Sequence, residues 1–255
     1  MRIVTLMENT ACREDLAAEH GLSLYVQTED CSFLFDAGQS SAFADNAEKL
    51  GIDLVGVDLA VLSHGHYDHG GGLKKFLEIN ETAPVWMNPC AFEPHFNGLE
   101  KDIGLDLSLQ NNERIRYADD AQEIGPGMTL YSQIRCPHGI RPFGLTMGKG
   151  VPEDFRHEQY LLVEEGGKRI LFSGCSHRGI LNIVEHFRPD VLIGGFHFMK
   201  MDPAGTELEA AAAALKRYPC IYYTGHCTGE AQFNALKAHL GQQLRPLSSG
   251  VEIIV

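Results

Sequence analysis

The chain has 255 residues, of which 44% are hydrophobic and 22% charged, with a formal net charge of −13. This is the composition of an ordinary globular enzyme, long enough to bury a substantial core as one large domain or two small ones. The acidic balance argues against a surface that grips nucleic acid or an anionic membrane, yet a bound metal can still reverse the field locally for an anionic substrate.

In chain order, the opening Met1-Arg2-Ile3-Val4-Thr5-Leu6 reads as a strand and not as a secretory signal, and no apolar stretch is long enough for a membrane span. Alternating patterns predict strands over 3–7, 22–27 and 32–36, the last closing on Phe35-Asp36-Ala37-Gly38, then a short helix over 43–50. Leu59-Ala60-Val61-Leu62 is a continuous apolar run, typical of a strand buried on both faces, and a helix follows over 73–79. From about 88 to 156 the pattern weakens into a loop-rich insertion with some strand content, a length of loop that usually serves function. Alternation then returns: strands over 160–163 and 169–173 joined by Gly166-Gly167, a helix over 180–187 and a strand over 191–193. An alanine-rich helix over 207–217, a strand over 220–224, a helix over 230–240 and a strand over 251–255 complete the chain. The layout suggests an α/β fold of two packed sheets with helices outside. Seven cysteines without a CxxC pair favour reduced thiols and a cytoplasmic protein.

Directly after the run Leu59-Ala60-Val61-Leu62 comes SHGHYDHGGG, with His64, His66, Asp68 and His69 inside six positions. A lone histidine is more often a surface or satisfied core residue, but three at this spacing gain little from one another unless something binds them. In an extended segment His64 and His66 project to one side. Asp68 and His69 fall where the chain turns into the next helix, so the six positions can serve two metal ions about 3.5–4 Å apart. Gly70, Gly71 and Gly72 let the backbone pass close beneath.

HxHxDH after a buried strand resembles the signature of the metallo-β-lactamase fold superfamily. AEHGLSLYVQT, FLFDAGQS, VLSHGHYDHGGGL, ILFSGCSHRGILNIV, IGGFHF and YYTGHCTG are similar to one branch of it. That branch holds metal-dependent hydrolases and, among archaeal relatives, a dihydropterin–aminobenzene ribofuranosyl phosphate synthase. The resemblance implies a four-layer αβ/βα sandwich: two mixed β-sheets packed together, helices outside and metals at one edge. It covers 1–255 as one domain carrying the 88–156 insertion.

It also implies further ligands. Cys175, in SGCSH, stands where many members carry a bridging aspartate, and is either a ligand or a small buried apolar residue. His177 is expected to complete the first position with His64 and His66, in competition with His157, which has the approximate place of the usual third ligand. His226, in TGHCTG, is expected to join Asp68 and His69 at the second, with Cys227 pointing away if its loop is extended. His197 is expected in the pocket as proton donor or substrate contact, or else in a structural hydrogen bond. Asp36 suits the orientation of a ligating histidine. A surface location is the better expectation for His95, His186 and His239, and His20 has no derivable role.

Histidine-rich ligation suits two zinc ions, with manganese or iron as alternatives. A related iron-redox subgroup carries glutamate where this chain has His66, which favours hydrolysis. The expected reaction is attack by a metal-bound hydroxide on a small-molecule ester, lactone or phosphoester, with Asp68 holding the nucleophile or shuttling its proton. One alternative is a transferase joining a dihydropterin methyl group to an aminobenzene ribofuranosyl phosphate, with Lys200, Arg178 and Arg141 as candidate anion-binding donors. Another is a non-enzymatic metal-binding sensor. The substrate is expected to be small, anionic or ring-bearing. Trp86, Phe92, Phe96, Tyr117 and Phe143 are available either for an apolar lid or for the insertion's own core.

Overall fold

The computed structural model describes all 255 residues. β1 (Arg2–Met7), β2 (Ser23–Gln27) and β3 (Ser32–Phe35) form an antiparallel run, followed by α1 (Ala42–Lys49) and β4 (Leu59–Val61). The short α2 (Tyr67–Gly70) and α3 (Leu73–Ile79) lead to β5 (Val85–Met87). Next come β6 (Phe96–Asn97), β7 (Lys101–Asp102), β8 (Ile115–Tyr117), β9 (Gln122–Gly125), β10 (Met128–Tyr131) and β11 (Leu145–Thr146). The last third holds β12 (Tyr160–Glu165), β13 (Lys168–Phe172), α4 (Ile180–Phe187), β14 (Val191–Ile193) and α5 (Thr206–Leu215). β15 (Ile221–Thr224), α6 (Glu230–Leu240), β16 (Leu244–Pro246) and β17 (Glu252–Ile254) close the chain.

Two mixed seven-stranded sheets result, ordered β17-β1-β2-β3-β4-β5-β8 and β16-β15-β14-β13-β12-β10-β9, beside a small sheet β11-β6-β7. The segment 88–156 therefore contributes β8 to the first sheet and β9 and β10 to the second, and only its remainder runs as loops and the small sheet.

The period-two alternation sets the layers. Phe33 and Phe35 of β3 and Ile170 and Phe172 of β13 meet between the sheets. Their neighbours face outward: Leu34 packs in a cluster with Phe43, Leu73 and Phe76 of the first helical layer. Leu171 packs in another with Ile183, Leu208 and Leu236 of the second. This is the four-layer αβ/βα sandwich. No helix is long and apolar enough to cross a membrane, and all seven cysteines are free thiols.

Strands β3, β4 and β5 run parallel, as do β13, β14, β15 and β16. Crevices outside the carboxyl ends of parallel strands are the usual ligand sites of α/β sheets. Here those ends deliver Asp36, the 63–69 loop, and the loops carrying Cys175–His177, His197 and His226. Two glycines make the approach possible: a Cβ on Gly72 would collide with the Ala37 carbonyl, and one on Gly174, at φ +60°, with the Ser63 hydroxyl.

Candidate metal centre

The first group of donors is His64, His66 and His177, all buried, whose ligating atoms lie within 4.8 Å of one another. His64 Nε2 and His177 Nε2 are 3.3 Å apart. The Ser63 hydroxyl donates to Asp36 Oδ2 at 2.7 Å, so its oxygen accepts the proton of His64 Nδ1 at 2.8 Å. That leaves a lone pair on His64 Nε2. His177 is held from below: its backbone N–H and that of Arg178 donate to buried Glu158 at 2.6 and 3.0 Å, and the Phe155 ring stacks on its imidazole at 4.6 Å. Burial pushes the pKa values of His64 and His177 well down, so both imidazoles are neutral, the form that ligates metal.

The second group gathers Asp68, His69, Cys175 and His226. His69 Nδ1 donates to Asp36 Oδ2 at 2.6 Å, and His226 Nδ1 to Asn9 Oδ1 at 2.9 Å. Asn9 Oδ1 also accepts the Gly21 N–H, which fixes its amide orientation. Both histidines thus present Nε2 lone pairs, and these face each other at 3.2 Å. Cys175 Sγ lies 3.1 Å from His69 Nε2, and Asp68 Oδ2 lies 3.2 Å from His226 Nε2.

Two lone pairs at that separation repel unless a cation stands between them. A proton can fill the gap in the bare chain: burial lowers the His69 pKa, but the charge and hydrogen bond of Asp36 outweigh it and hold it at about 9. One proton, however, serves one pair, whereas a thiol also stands against one of these nitrogens and a carboxylate against the other. Nitrogen, sulfur and carboxylate donors with fixed tautomers fit a divalent metal such as zinc. Burial raises the Cys175 thiol well above its usual range, so its thiolate forms only with a cation beside it.

His226 adopts φ 44° in a 3-10 turn, His226–Thr228, whose backbone N–H is taken by buried Glu8. This tight turn corrects the expectation for Cys227, which depends on an extended loop: its Sγ lies 3.5 Å from the Cys175 carbonyl and within the same cluster. His20 also finds a place, with Nε2 3.3 Å from Asp68 Oδ2. Burial would raise the Asp68 carboxyl, but the imidazoles around it, His20 foremost, hold it well below the usual range.

A further cluster was not foreseen. His95 is buried, not on the surface, and joins His66 and His157 around the carboxylate of Glu153, which is 3% exposed. Glu153 Oε1 lies 2.5 Å from His95 Nδ1 and 2.7 Å from His157 Nε2, while Oε2 lies 3.4 Å from His66 Nε2. None of these contacts is aligned as a hydrogen bond, so charge more than direction holds them. The Gly65 N–H donates to His157 Nδ1 at 2.8 Å, which places the proton of the neutral ring on Nε2, facing Glu153. His157 therefore offers no free lone pair here, and His177 is the histidine brought to His64. Burial drives the His157 pKa down to about 3. Burial alone would raise Glu153, but the surrounding imidazoles, His157 foremost, keep its carboxyl well below the usual range. A carboxylate facing the neutral rings of His66 and His157 is the consistent state.

Two cavities meet at this centre. One of about 150 Å³ opens over the donors, with Lys101 and Lys200 in its wall. The other, of about 310 Å³, lies beside α4 and α5. His177 and His197 line both. His197 has φ 53°, its ring is 4.2 Å from that of His177, and neither ring nitrogen has a partner, which sets aside the structural hydrogen bond. No aromatic lid forms over the donors: Phe92 is core, Trp86 packs between the sheets, Tyr117 is exposed, and of the five aromatics only Phe143 lines either of these two cavities. Of the other candidate donors, Arg178 donates to the Ser132 carbonyl and Arg141 pairs with Glu207.

The metallo-beta-lactamase superfamily model matches residues 17–149. The crystal structure of Tm1679, described as a metal-dependent hydrolase of the beta-lactamase superfamily, superposes with a TM-score of 0.86 at 30% identity, covering 100% of this chain and 99% of that one. An uncharacterized protein of Methanocaldococcus jannaschii is 29% identical over 89% of this chain and 90% of its own length. The 7,8-dihydropterin-6-methyl-4-(beta-D-ribofuranosyl)-aminobenzene-5'-phosphate synthase of the same organism is 27% identical over 98% of this chain and 95% of its own.

Proposed function

The chain belongs to the metallo-β-lactamase superfamily, and we propose that it is a hydrolase using two zinc ions at this centre to split a small-molecule ester, lactone or phosphoester. The observation that carries the proposal is the facing pair His69 Nε2 and His226 Nε2, with Cys175 Sγ against the first nitrogen and Asp68 Oδ2 against the second. His64, His66 and His177 would hold one ion, and Asp68, His69, His226 and Cys175 the other. Two such ions supply a nucleophile at neutral pH and withdraw charge from the scissile group.

The remaining steps belong to side chains. Asp68, a carboxylate between His20 and His226, takes the proton of the attacking water, and half-exposed His20 steadies that carboxylate at the mouth. His197 has unpartnered nitrogens at the junction of the two cavities, so it protonates the leaving group. Lys101 and Lys200 attract an anionic substrate toward the mouth.

Metal analysis of carefully purified protein should find two zinc ions per chain, and a panel of esters, lactones and phosphoesters should reveal turnover. His66→Ala should lower metal content and abolish that turnover; full activity in the variant refutes the assignment.

A second reading, transfer of a dihydropterin methyl group from its diphosphate to an aminobenzene ribofuranosyl phosphate, is supported by the similarity to the synthase over 98% of the chain. Lys101 and Lys200 would then face the departing diphosphate. Product analysis with the two substrates decides between transfer and hydrolysis.

A further inference from the structure

We propose that the cavity of about 310 Å³ beside α4 and α5 is the subsite for an uncharged apolar part of the substrate, the size of one or two rings, lying across His197 from the metals. The proposal rests on the hydrolytic reading of the centre and specifies the kind of leaving group it releases.

Chemistry of the walls comes first. Ile180, Phe196, Met201 and Ala211 are buried apolar side chains, and Phe143 and Phe198 add two half-buried rings. The charged groups at the rim are already engaged. His138 Nε2 lies 2.7 Å from Glu185, and Arg141 pairs with Glu207. Asn182 spends its amide on the carbonyls of Gly139 and Arg178, at 2.8 and 2.6 Å. A charged group entering this space would find no unspent counter-charge, and burying it without one is costly. His197 is the wall residue with both ring nitrogens unpartnered, and it stands on the side facing the metal centre.

Size comes next. An apolar cavity of about 150 Å³ is enough to take up benzene. This one has roughly twice that volume, which suits a bicyclic ring. One side of its mouth is tied down: Lys200 Nζ donates to the Phe143 carbonyl at 2.6 Å and joins the 139–143 loop to the loop carrying His197.

A bond lying over the metal centre, with one side in this cavity, leaves the departing oxygen next to His197. A leaving group with an apolar body explains why a histidine without any partner of its own is placed there. A small charged product would need the cations that this wall has neutralised.

The experiment uses the zinc-loaded full chain and two brominated probes of one shape, 6-bromo-2-naphthol and (6-bromonaphthalen-2-yl)methylammonium. Bromine anomalous scattering in soaked crystals should place the naphthol ring between Met201 and Ala211. Titration should show the cation binding at least about tenfold more weakly, the penalty for burying an unpaired charge. Ala211→Leu, and independently Ala210→Phe at an exposed position on the rim, should each weaken naphthol binding by about tenfold or more while zinc content is kept. Bromine elsewhere, equal binding of the cation, or unchanged affinity in both variants overturns the proposal. Because binding needs no turnover, bromine in the cavity of a protein that cleaves no ester would reject the hydrolytic reading and leave the subsite standing.

Discussion

Glu153→Gln is the most informative single change, because it removes one charge and almost no volume. Glu153 is 3% exposed and lies between three imidazoles at 2.5, 2.7 and 3.4 Å. Taking one partner from a buried charged cluster costs about 3–5 kcal/mol, since the remaining groups keep their desolvation and lose their attraction. The low end applies, because glutamine keeps one acceptor oxygen and the rings of His66 and His157 are driven neutral by burial. A loss of about 3 kcal/mol lies within the about 5–15 kcal/mol of a typical folded chain, so the variant folds. At about 2–4 °C per kcal/mol for a chain of this size, the melting temperature falls by about 6–12 °C.

The effect should reach the metal as well. Glu153 faces His66 Nε2, which leaves Nδ1 as the nitrogen for the first zinc. Losing a carboxylate behind a metal-bound histidine usually costs about 10–100-fold in affinity. Urea unfolding of the metal-free protein reads the first quantity, and chelator competition with zinc reads the second. The expected result is one weakened zinc and one unchanged. Wild-type stability together with two wild-type zinc affinities would refute the view that Glu153 anchors His66.

Asp36→Asn should weaken both zinc ions, because Asp36 accepts from the Ser63 backbone, the Ser63 hydroxyl and His69 Nδ1 and so fixes the tautomers of His64 and His69; a competition assay showing only one affected ion contradicts this. His177→Ala should lose one zinc equivalent, whereas His157→Ala should keep both and lower only stability; the reverse pattern in metal analysis would restore His157 as the ligand. The metal-free protein should be most stable near neutral pH. His69 is raised to about 9, so its contribution, about 3 kcal/mol, is full below the unfolded value near 6.5 and is lost as pH rises through 9. His64, His66, His157 and His177 are lowered, mainly by burial, so their contributions hold above about 6.5 and fade as pH falls below it. Urea midpoints from pH 5 to 10 should trace a maximum, and a flat profile would sink the assignment.

The frame and half of the centre were legible in the sequence for physical reasons. Period-two alternation and continuous apolar runs locate the main strands within a residue or two, and the helices over 73–79, 180–187 and 230–240 match residue for residue. β5 and β16 escape because each sits against a proline, Pro84 and Pro246, which reads as a break and not as a strand. His64, His66, Asp68 and His69 are readable because their spacing is local. His177 and His226 are readable because they follow strand ends. Glu8, Asn9, Glu153 and Glu158 carry no such signal. Each is a polar residue near a strand or loop end, and the donor histidine it positions lies far along the chain: 19 residues from Glu158 to His177, 217 from Asn9 to His226 and 218 from Glu8 to His226, with Glu153 also remote from His66. Only the fold brings them together. His95 illustrates the same limit: a lone histidine in a loop reads as surface until a buried carboxylate is found opposite it.

Asp36, legible in the sequence, and the three hidden carboxylates share one logic. Asp36 holds His64, through Ser63, and His69; Glu158 holds the His177 backbone; Glu8 holds the His226 backbone; Glu153 faces His66. All four are at most 3% exposed, and a buried carboxylate is a poor source of stability, since desolvation offsets most of its attraction. A core built for stability alone would place apolar side chains there. What four such groups achieve together is directional: each ties one donor loop to a segment remote in the chain, so that donors from both sheets are held facing one another. The chain thereby carries the cost of assembling the centre in its fold, and metal binding does not have to order loops as it occurs. Removing any one of these charges should therefore leave a chain that folds and still binds zinc, but more weakly, with part of the binding free energy consumed in ordering the loop that the charge holds.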